Sequence, residues 1–398
     1  MRKCLLLICT IALCACNSEQ PKNINTSDEC AIRIDVDEDI EKNMQSIHDI
    51  AYDWSVIELE DHDDAMIDQI SEFEIVDDKI ICYSYSFGGK VVVFDINGKY
   101  LYNIGNRGPG PNEWVQISSM FVNKLEKTIT LLDADNPRVF IYNLDGSLSN
   151  IYRWEDKYVY EIAHNNGIFY YQNTVLYNGL KLDKSFTSKV KIYNSDLKLL
   201  SLQVPYKWND LPLYTGNKDI FKMNFDNNIL CCPIGDEYIY KVSGDSIHPY
   251  VQFNYLGNKR FRSNEELNEF AFSSKYENCK NGMTFYSNYF IETDSLIYRR
   301  MGYYEAFDIL YNKETNRVVV TEFDSDYLNR YGMSKNILYP SPEVFYDGRF
   351  YARFVPFIFD APEEYMKSSV IPECLNQFKK KYDKGKLNQI IITYKLKI

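Results

Sequence analysis

The stretch that decides the fold runs from Asp95 to Gly146, and it contains DINGKYLYNIGNRGPGPNEW at Asp95–Trp114 and ITLLDADNPRVFIYNLDG at Ile129–Gly146. Each segment joins apolar strand residues to a turn sequence, D-I-N-G at Asp95–Gly98 and N-L-D-G at Asn143–Gly146. Asn, Asp and Gly are the residues that tight hairpin turns favour. We interpret the stretch as one blade of a β-propeller followed by the next.

The same order of strand, Asn/Asp-rich turn and strand recurs along the chain about every 40 to 60 residues, as expected for a propeller. Apolar residues alternate within these strands, and Tyr, Phe, Val and Ile are enriched, which is typical of β-structure. Five units lie at 72–104, 119–154, 159–204, 222–253 and 289–322. Part of a sixth lies at 344–357. Another all-β arrangement, such as two sandwiches, is the alternative.

The chain ends on strongly apolar strand sequence, LNQIIITYKL at 387–396, and WSVIEL at 54–59 resembles a strand without a blade of its own. An open ring would expose two sheet edges. We therefore expect these terminal strands to complete one shared blade, so that 32–398 forms a single propeller domain. Two helical insertions are expected, one at 263–272 after a capping box and one at 362–385 that Pro372 divides.

The N-terminus, MRKCLLLICTIALCAC, has the charges, short apolar core and small residues of a processing segment. The pattern is typical of a bacterial lipoprotein signal, which predicts a signal peptide at 1–15, lipidation at Cys16 and a polar tether over 16–31. An ordinary secretory signal with an incidental Cys is the alternative. The expected location is the cell envelope, at the outer membrane, facing either the periplasm or the outside.

Acidic residues exceed basic ones, 56 against 44, and the formal net charge is −12. Nucleic-acid binding requires concentrated Lys and Arg, so this composition argues against such a partner. Beyond the signal, the cysteines are Cys30, Cys82, Cys231, Cys232, Cys279 and Cys374. They show no C-x-x-C spacing, which argues against zinc, and adjacent Cys231 and Cys232 should face opposite sides of a strand. We expect buried thiols, with one or two disulfides as the alternative.

Several motifs resemble six-bladed β-propeller lipoproteins of Bacteroidetes, relatives of the NHL-repeat propellers. They are F-D-I-N-G-K at 94–99 and I-G-N-R-G-P-G-P-N-E-W at 104–114, supported by lead-in sequence at 46–50 and 57–60 and by the closing strand at 390–398. The family usually has Gly at the position of Asn112. The resemblance implies six four-stranded antiparallel blades with short helical insertions, and it leaves the activity open.

Two motifs suggest ligand chemistry, but structural interpretations suit them better. A phosphate loop at 105–110 would need a helix behind it, which Pro109 and Pro111 prevent. A calcium loop beginning at Asp133 would need Gly at its sixth position, where Arg138 stands. We expect Asp133 and Arg138 to pair within a blade.

Other side chains show no spacing typical of a metal or catalytic site. The acidic turn at 61–64 is expected to be exposed, and the four His are scattered. We therefore predict no metal and no cofactor, and we assign no catalytic residue.

Aromatic and Arg side chains on propeller loops can form a platform for sugars or peptides. The candidate ligand-binding residues are Arg107, Glu113, Trp114, Arg299 and Arg300. The leading hypothesis is a non-catalytic, membrane-anchored propeller that binds a glycan, a peptide or a protein. One alternative is a glycan lyase or hydrolase with its site in the central funnel. The other is a structural subunit of an outer-membrane complex.

Overall fold

The fold is a six-bladed β-propeller, in agreement with the prediction. The computed structural model describes residues 30–37, 39–40, 43–67, 69–133, 136–154, 159–173, 188–205, 220–233, 236–255, 286–301, 307–322, 342–354, 372–382 and 389–398. The predicted signal peptide, Cys16 and most of the tether lie outside these residues, as do Cys279 and the helix predicted at 263–272.

The chain begins with strand β1 (Ile32–Val36), a short helix α1 (Ile47–Ile50) and strand β2 (Ala51–Glu58). Blade 1 contains β3 (Glu72–Val76), β4 (Lys79–Ser84), β5 (Lys90–Asp95) and β6 (Tyr100–Ile104). Blade 2 contains β7 (Ile117–Asn123), β8 (Thr128–Asp133), β9 (Arg138–Asn143) and β10 (Leu148–Arg153). Blade 3 contains β11 (Val159–Asn165), β12 (Ile168–Asn173), β13 (Ser188–Tyr193) and β14 (Leu199–Pro205).

Blade 4 contains β15 (Phe221–Met223), β16 (Ile229–Cys231), β17 (Tyr238–Ser243) and β18 (Ser246–Tyr255). Blade 5 contains β19 (Tyr286–Glu292), β20 (Leu296–Met301), β21 (Phe307–Asn312) and β22 (Val318–Glu322). Blade 6 contains β23 (Val344–Tyr346), β24 (Arg349–Phe354) and β25 (Ile390–Leu396), and β2 is its fourth strand. Helix α2 (Glu373–Lys381) follows Pro372, the position at which the sequence predicted a division.

The ring closes through the antiparallel pairing of β2 with β25, in which Ala51 lies opposite Leu396 and Glu58 lies opposite Ile390. This is the pairing that the sequence predicted for the two terminal strands. A contact that the sequence did not predict lies at blade 4, where β1 adds a fifth strand by pairing in parallel with β18. β2 covers the edge of β25, and β1 covers the edge of β18. Without them, these edges would be open to pairing with other chains.

The core lies between the blades, because each blade buries both faces of its sheet. Six clusters of buried apolar side chains occur in the described chain, one at each contact between neighbouring blades. In β5, Val91 and Val93 pack toward blade 2, whereas Val92 and Phe94 pack toward blade 6. Strands buried on both faces therefore have a nearly continuous apolar sequence, as KVVVFD does.

The Asn/Asp-rich turns predicted from the sequence have the backbone conformation that favours these residues. Asp77, Asp78, Asn166, Asn227 and Asp347 all have positive φ angles, between 46° and 58°. Asn and Asp tolerate this left-handed region better than most residues. The turn sequences thus set the tight hairpins between the first and second strands of four blades.

The described cysteines are free thiols: Cys30, Cys82, Cys231, Cys232 and Cys374. Cys231 packs between blades 3 and 4, and Cys232 packs between blades 4 and 5. The prediction that these neighbours face opposite sides of the sheet is confirmed. Burial raises the pKa of the Cys232 thiol to about 11, which disfavours the reactive thiolate.

Candidate functional site

A cavity of about 350 Å³ lies on the propeller axis, where the inner strands end in their first turns. Its walls come from blades 1, 2, 4, 5 and 6, which contribute the segments around Asp77, Lys124, Asn224, Glu292 and Tyr346. The volume is near the lower end of the range for small-molecule sites, about 300 to 1,000 Å³. Because five blades supply its lining, the ring as a whole defines this central cavity.

Three glutamates line the central cavity, and each is held by a cation. Glu74 pairs with Lys124 at 2.8 Å. Glu292 pairs with Lys313 at 2.6 Å, and Glu343 pairs with Arg353 at 3.0 Å. The cavity therefore presents fixed charges of both signs.

The Glu292 carboxylate organises the wall contributed by blades 4 and 5. Its side chain is almost fully buried and accepts hydrogen bonds from Asn224 Nδ2 at 2.8 Å and from the Tyr250 hydroxyl at 2.7 Å. Burial raises the pKa of Tyr250, and the hydrogen bond to Glu292 raises it further. These contacts hold Asn224 and the adjacent Phe225 at the cavity wall, where Phe225 is 42% exposed.

Lys222 carries a further positive charge into the central cavity. Its Nζ donates to the Glu343 carbonyl at 3.2 Å and lies 4.9 Å from the centroid of the Tyr289 ring. Neither partner is a carboxylate. Sequence reasoning missed Lys222, Glu292 and Glu343, although each lies at or next to the end of an inner strand. This shared position at the ends of inner strands is the only feature of the sequence that could have indicated that the three residues line one cavity.

Of the predicted ligand-binding residues, Arg299 and Arg300 lie in β20 and point to opposite sides of blade 5. Arg299 is fully buried and donates to the Asp236 carbonyl at 2.6 Å, which ties blade 5 to blade 4. Arg300 pairs with Asp308 at 3.3 Å and lies over the Tyr289 ring. Neither lines the central cavity, but Arg300 and Lys222 contact the same ring.

Glu113 and Trp114 build the loop between blades 1 and 2. The Glu113 carboxylate accepts from the Gly110 backbone N–H at 2.7 Å, and the Trp114 indole N–H donates to the Gly89 carbonyl at 3.2 Å. Trp114 is 1% exposed and packs against Gly105, whose φ is +54°. The glycines of the motif thus serve close packing around two side chains.

Asp133 and Arg138 hold the same loop from blade 2, and their predicted pairing is confirmed at 3.5 Å. Asp133 is fully buried and accepts from the Val115 N–H at 2.8 Å. Arg138 donates to the Pro111 carbonyl at 3.0 Å and to that of Glu113.

Arg107 is exposed and lines a second cavity, of about 280 Å³, which we call the blade-1 cavity. Its walls come from 66–67, 84, 86, 89–91, 103–107 and Trp114. The sequence had placed Arg107, Glu113 and Trp114 on one ligand-binding loop. The structure keeps them together and separates them from Arg299 and Arg300, which lie in blade 5.

The acidic turn at 61–64 is exposed, as predicted. The His62 imidazole accepts from the Asp64 backbone N–H at 3.1 Å and stacks on Tyr100. Within the described ranges, no group of three or more His, Cys, Asp or Glu has an arrangement suited to a metal ion. A helix long and apolar enough to cross a membrane is likewise absent from the part of the chain that the structure covers.

The chain belongs to the family described as Domain of unknown function (DUF4934), which matches residues 31–393. In fold it is similar to the crystal structure of a protein designated as exported from Bacteroides fragilis NCTC 9343. The TM-score is 0.70 and the identity 16%, over 92% of this chain and 100% of that one. It is also similar to a member of the duf4221 family from Bacteroides vulgatus ATCC 8482, with a TM-score of 0.52 and 12% identity, over 87% of this chain and 98% of that one. No curated protein matches the chain in sequence.

Proposed function

We propose that this chain is a lipid-anchored envelope protein whose propeller binds a glycan, a peptide or a segment of a partner protein in the central cavity, without catalysis. The observation that carries the proposal is the cavity itself, which combines fixed charges, the Asn224 amide and the exposed Phe225 ring. Apolar and aromatic walls with a few oriented polar groups are typical of binding sites.

The ion pairs of the central cavity favour binding over acid–base catalysis. General acid–base catalysis needs a carboxyl group that can reach the reacting atoms of the ligand. Glu74, Glu292 and Glu343 are instead each engaged in an ion pair with a cation of the cavity wall. Such charges suit the orientation of a polar ligand.

The proposed location rests on the N-terminus and on a relative. Residues 1–16 have the sequence pattern of a lipoprotein signal that ends on Cys16. The similar structure from Bacteroides fragilis is that of a protein designated as exported. Replacing Cys16 by Ser should move the protein from the membrane fraction to the soluble fraction of the envelope. Unchanged membrane association of this variant would contradict the anchor.

A thermal-shift screen tests ligand binding, because a ligand that binds only the folded state raises the melting temperature. The chain from Asn17 onward is screened with glycans, peptides and divalent cations, and a dose-dependent rise with one class is expected. Phe225→Ala should reduce that rise. Leu199→Ala is the matched control, since Leu199 is 43% exposed on the outer strand of blade 3. An equal rise in both variants would place the ligand elsewhere, and no rise would contradict the proposal.

The second candidate is a glycan lyase or hydrolase, and the acidic side chains around the central cavity favour it. Incubation of each binding glycan with the protein, followed by product analysis, separates the two functions. A product that disappears in Glu74→Gln and Glu343→Gln variants would establish an enzyme. Binding without product would support the non-catalytic function.

A further inference from the structure

The blade-1 cavity is distinct from the central cavity, and the two have no lining residue in common. It lies between the connection that follows β2, the β4–β5 connection and the loop after β6. Two cationic side chains line it, Lys90 and Arg107, together with Asn103 and the hydroxyls of Ser84 and Ser86. None of the described lining residues is acidic.

Both cations are held in place by backbone carbonyls. Lys90 Nζ donates to the Met66 carbonyl at 3.1 Å, and Arg107 Nε donates to the Val115 carbonyl at 3.1 Å. The terminal amino groups of Arg107 make no hydrogen bond with any residue that the structure describes. Neither cation lies within 4.0 Å of a carboxylate in the described parts of the chain.

The charge balance of the blade-1 cavity favours a negative ligand. Burial lowers the pKa of Lys90, and the nearby Asp64 opposes this effect only in part. Asp64 is exposed and lies 3.9 Å from His62 Nδ1. The Lys90 ammonium has the Met66 carbonyl as an acceptor but no carboxylate as a charge partner among the described residues. An anion in the cavity would supply that charge partner. The planar guanidinium of Arg107 is suited to two parallel hydrogen bonds with a carboxylate or a phosphate.

The remaining wall of the cavity is apolar. Ile104 and Trp114 are buried behind it, and Met66, which is 69% exposed, stands at its mouth. Tyr85 and Val115, neighbours of lining residues, are also exposed. Exposed apolar side chains around a cavity indicate contact with the apolar part of a ligand.

We infer that the blade-1 cavity binds an anionic group carried on an apolar body, with Arg107 and Lys90 as its charge partners. The head group is a carboxylate or a phosphate, which share this recognition chemistry. Arg107 contacts the head group through its terminal amino groups, and Met66 covers the apolar body.

The test uses the full-length chain in detergent micelles and follows ligand NMR signals in four titrations. Benzoate and phenyl phosphate carry the anionic head, benzamide is the neutral counterpart of benzoate, and benzylamine is the cationic one. Saturable binding of benzoate, phenyl phosphate or both is expected, with at least tenfold weaker binding of benzamide and benzylamine. The stronger of the two anions identifies the head group. Equal binding of benzamide, or saturable binding of neither anion, would overturn the inference.

Variants locate the binding. Arg107→Gln and Lys90→Gln should each weaken anion binding at least tenfold, because each removes one charge partner. The matched controls are Arg153→Gln and Lys198→Gln, exposed residues on blades 2 and 3 with the same change of charge. If the control variants weakened anion binding equally, the effect would come from the net charge of the protein. That result would contradict a binding site at Arg107 and Lys90.

Met66→Glu tests the site without disturbing the core, since Met66 is largely exposed. The new carboxylate should repel the anion and abolish its binding, while the melting temperature stays unchanged. Phe225→Ala, in the central cavity, should leave binding of the anion intact. The two variants therefore test binding in the blade-1 cavity and binding in the central cavity independently of each other. Unchanged anion binding in Met66→Glu would exclude the blade-1 cavity.

Discussion

At the residue scale, buried charges that contact the backbone decide how the blades are joined. Asp133 and Arg138 are a pair within blade 2, yet most of their hydrogen bonds go to the loop that arrives from blade 1. Arg299 does the same between blades 5 and 4. These side chains take the place of water for carbonyl and N–H groups that burial would otherwise leave unsatisfied.

Removal of the Asp133 carboxylate should therefore destabilise the fold. Asp133→Ala leaves Arg138 without its partner and the Val115 N–H without its acceptor. The expected loss is about 3 to 5 kcal/mol in the free energy of unfolding, measured by urea denaturation. Asp196→Ala, at an exposed turn, is the control and should change stability little. A similar loss in both variants would contradict the role of Asp133.

His164 should make stability depend on pH. Its ring is buried beside Phe169, 3.7 Å from the Glu126 carboxylate, and burial lowers the pKa of the imidazole although Glu126 opposes this. The unfolded chain then binds more protons than the folded chain as the pH falls below about 6.5. Stability is therefore lost from that pH down to the lower pKa of the folded state.

His164→Gln removes this titration. The melting temperature of the variant, followed between about pH 7.5 and about pH 5, should fall less than that of the parent protein. Parallel curves for the two proteins would show that His164 does not contribute to the pH dependence.

At the element scale, the loop between β6 and β7 is the part of the sequence that most resembles a ligand-binding motif. The structure explains most of its composition by packing: Gly105 lies against Trp114, and Gly108 and Gly110 surround the Glu113 carboxylate. Asn106 and Arg107 are the members of the motif that are exposed and line a cavity, and Arg107 carries the charge. A motif of this kind therefore combines loop-forming residues with two candidate contact residues.

Replacement of Gly105 by Ala separates backbone strain from packing. The added Cβ would lie 2.3 Å from the Trp114 ring and 2.4 Å from the Tyr142 hydroxyl. Gly348, with φ of +72° and open space around it, is the matched control. Gly348→Ala should cost only the backbone strain, about 1 to 2 kcal/mol. Gly105→Ala should cost about 1 to 3 kcal/mol more in urea denaturation because of overpacking. Equal losses would mean that the loop can relax around the methyl group.

At the scale of the whole molecule, the ring depends on strands from its two ends. β25 lies in the middle of blade 6, between β2 and β24, whereas β1 lies at the outer edge of blade 4. The two strands should therefore differ in importance. Loss of β25 separates the blade into parts and opens the ring, whereas loss of β1 leaves four antiparallel strands in place.

Two truncated chains test this difference. A chain that ends at Gln389 should fail to give a compact, cooperatively unfolding protein in size-exclusion chromatography and thermal denaturation. A chain that begins at Asn43 should remain folded with lower stability, because it loses the burial of Ile34 and Val36. A cooperative, native-like transition in the chain without β25 would contradict closure through this strand.

Local features were predictable from the sequence because they depend on neighbouring residues. The alternation of strands and turns, the opposite orientation of Cys231 and Cys232, and the pairing of Asp133 with Arg138 all follow from the period of a strand and from turn chemistry. The pairing of β2 with β25 also followed, since a closed ring leaves fewer open edges. The sequence by itself thus determined the blades and the closure of the propeller.

The cavities were decided only by the tertiary structure. Asp78 and Tyr346 are hydrogen-bonded across 268 residues of sequence, and the central cavity gathers side chains from five blades in the same way. The parallel contact of β1 with β18 and the burial of Trp114 and Arg299 also depend on neighbouring blades. The sequence pattern of one blade does not predict which side chains of the other blades will lie opposite that blade. The binding surfaces of a propeller are therefore properties of its assembled ring.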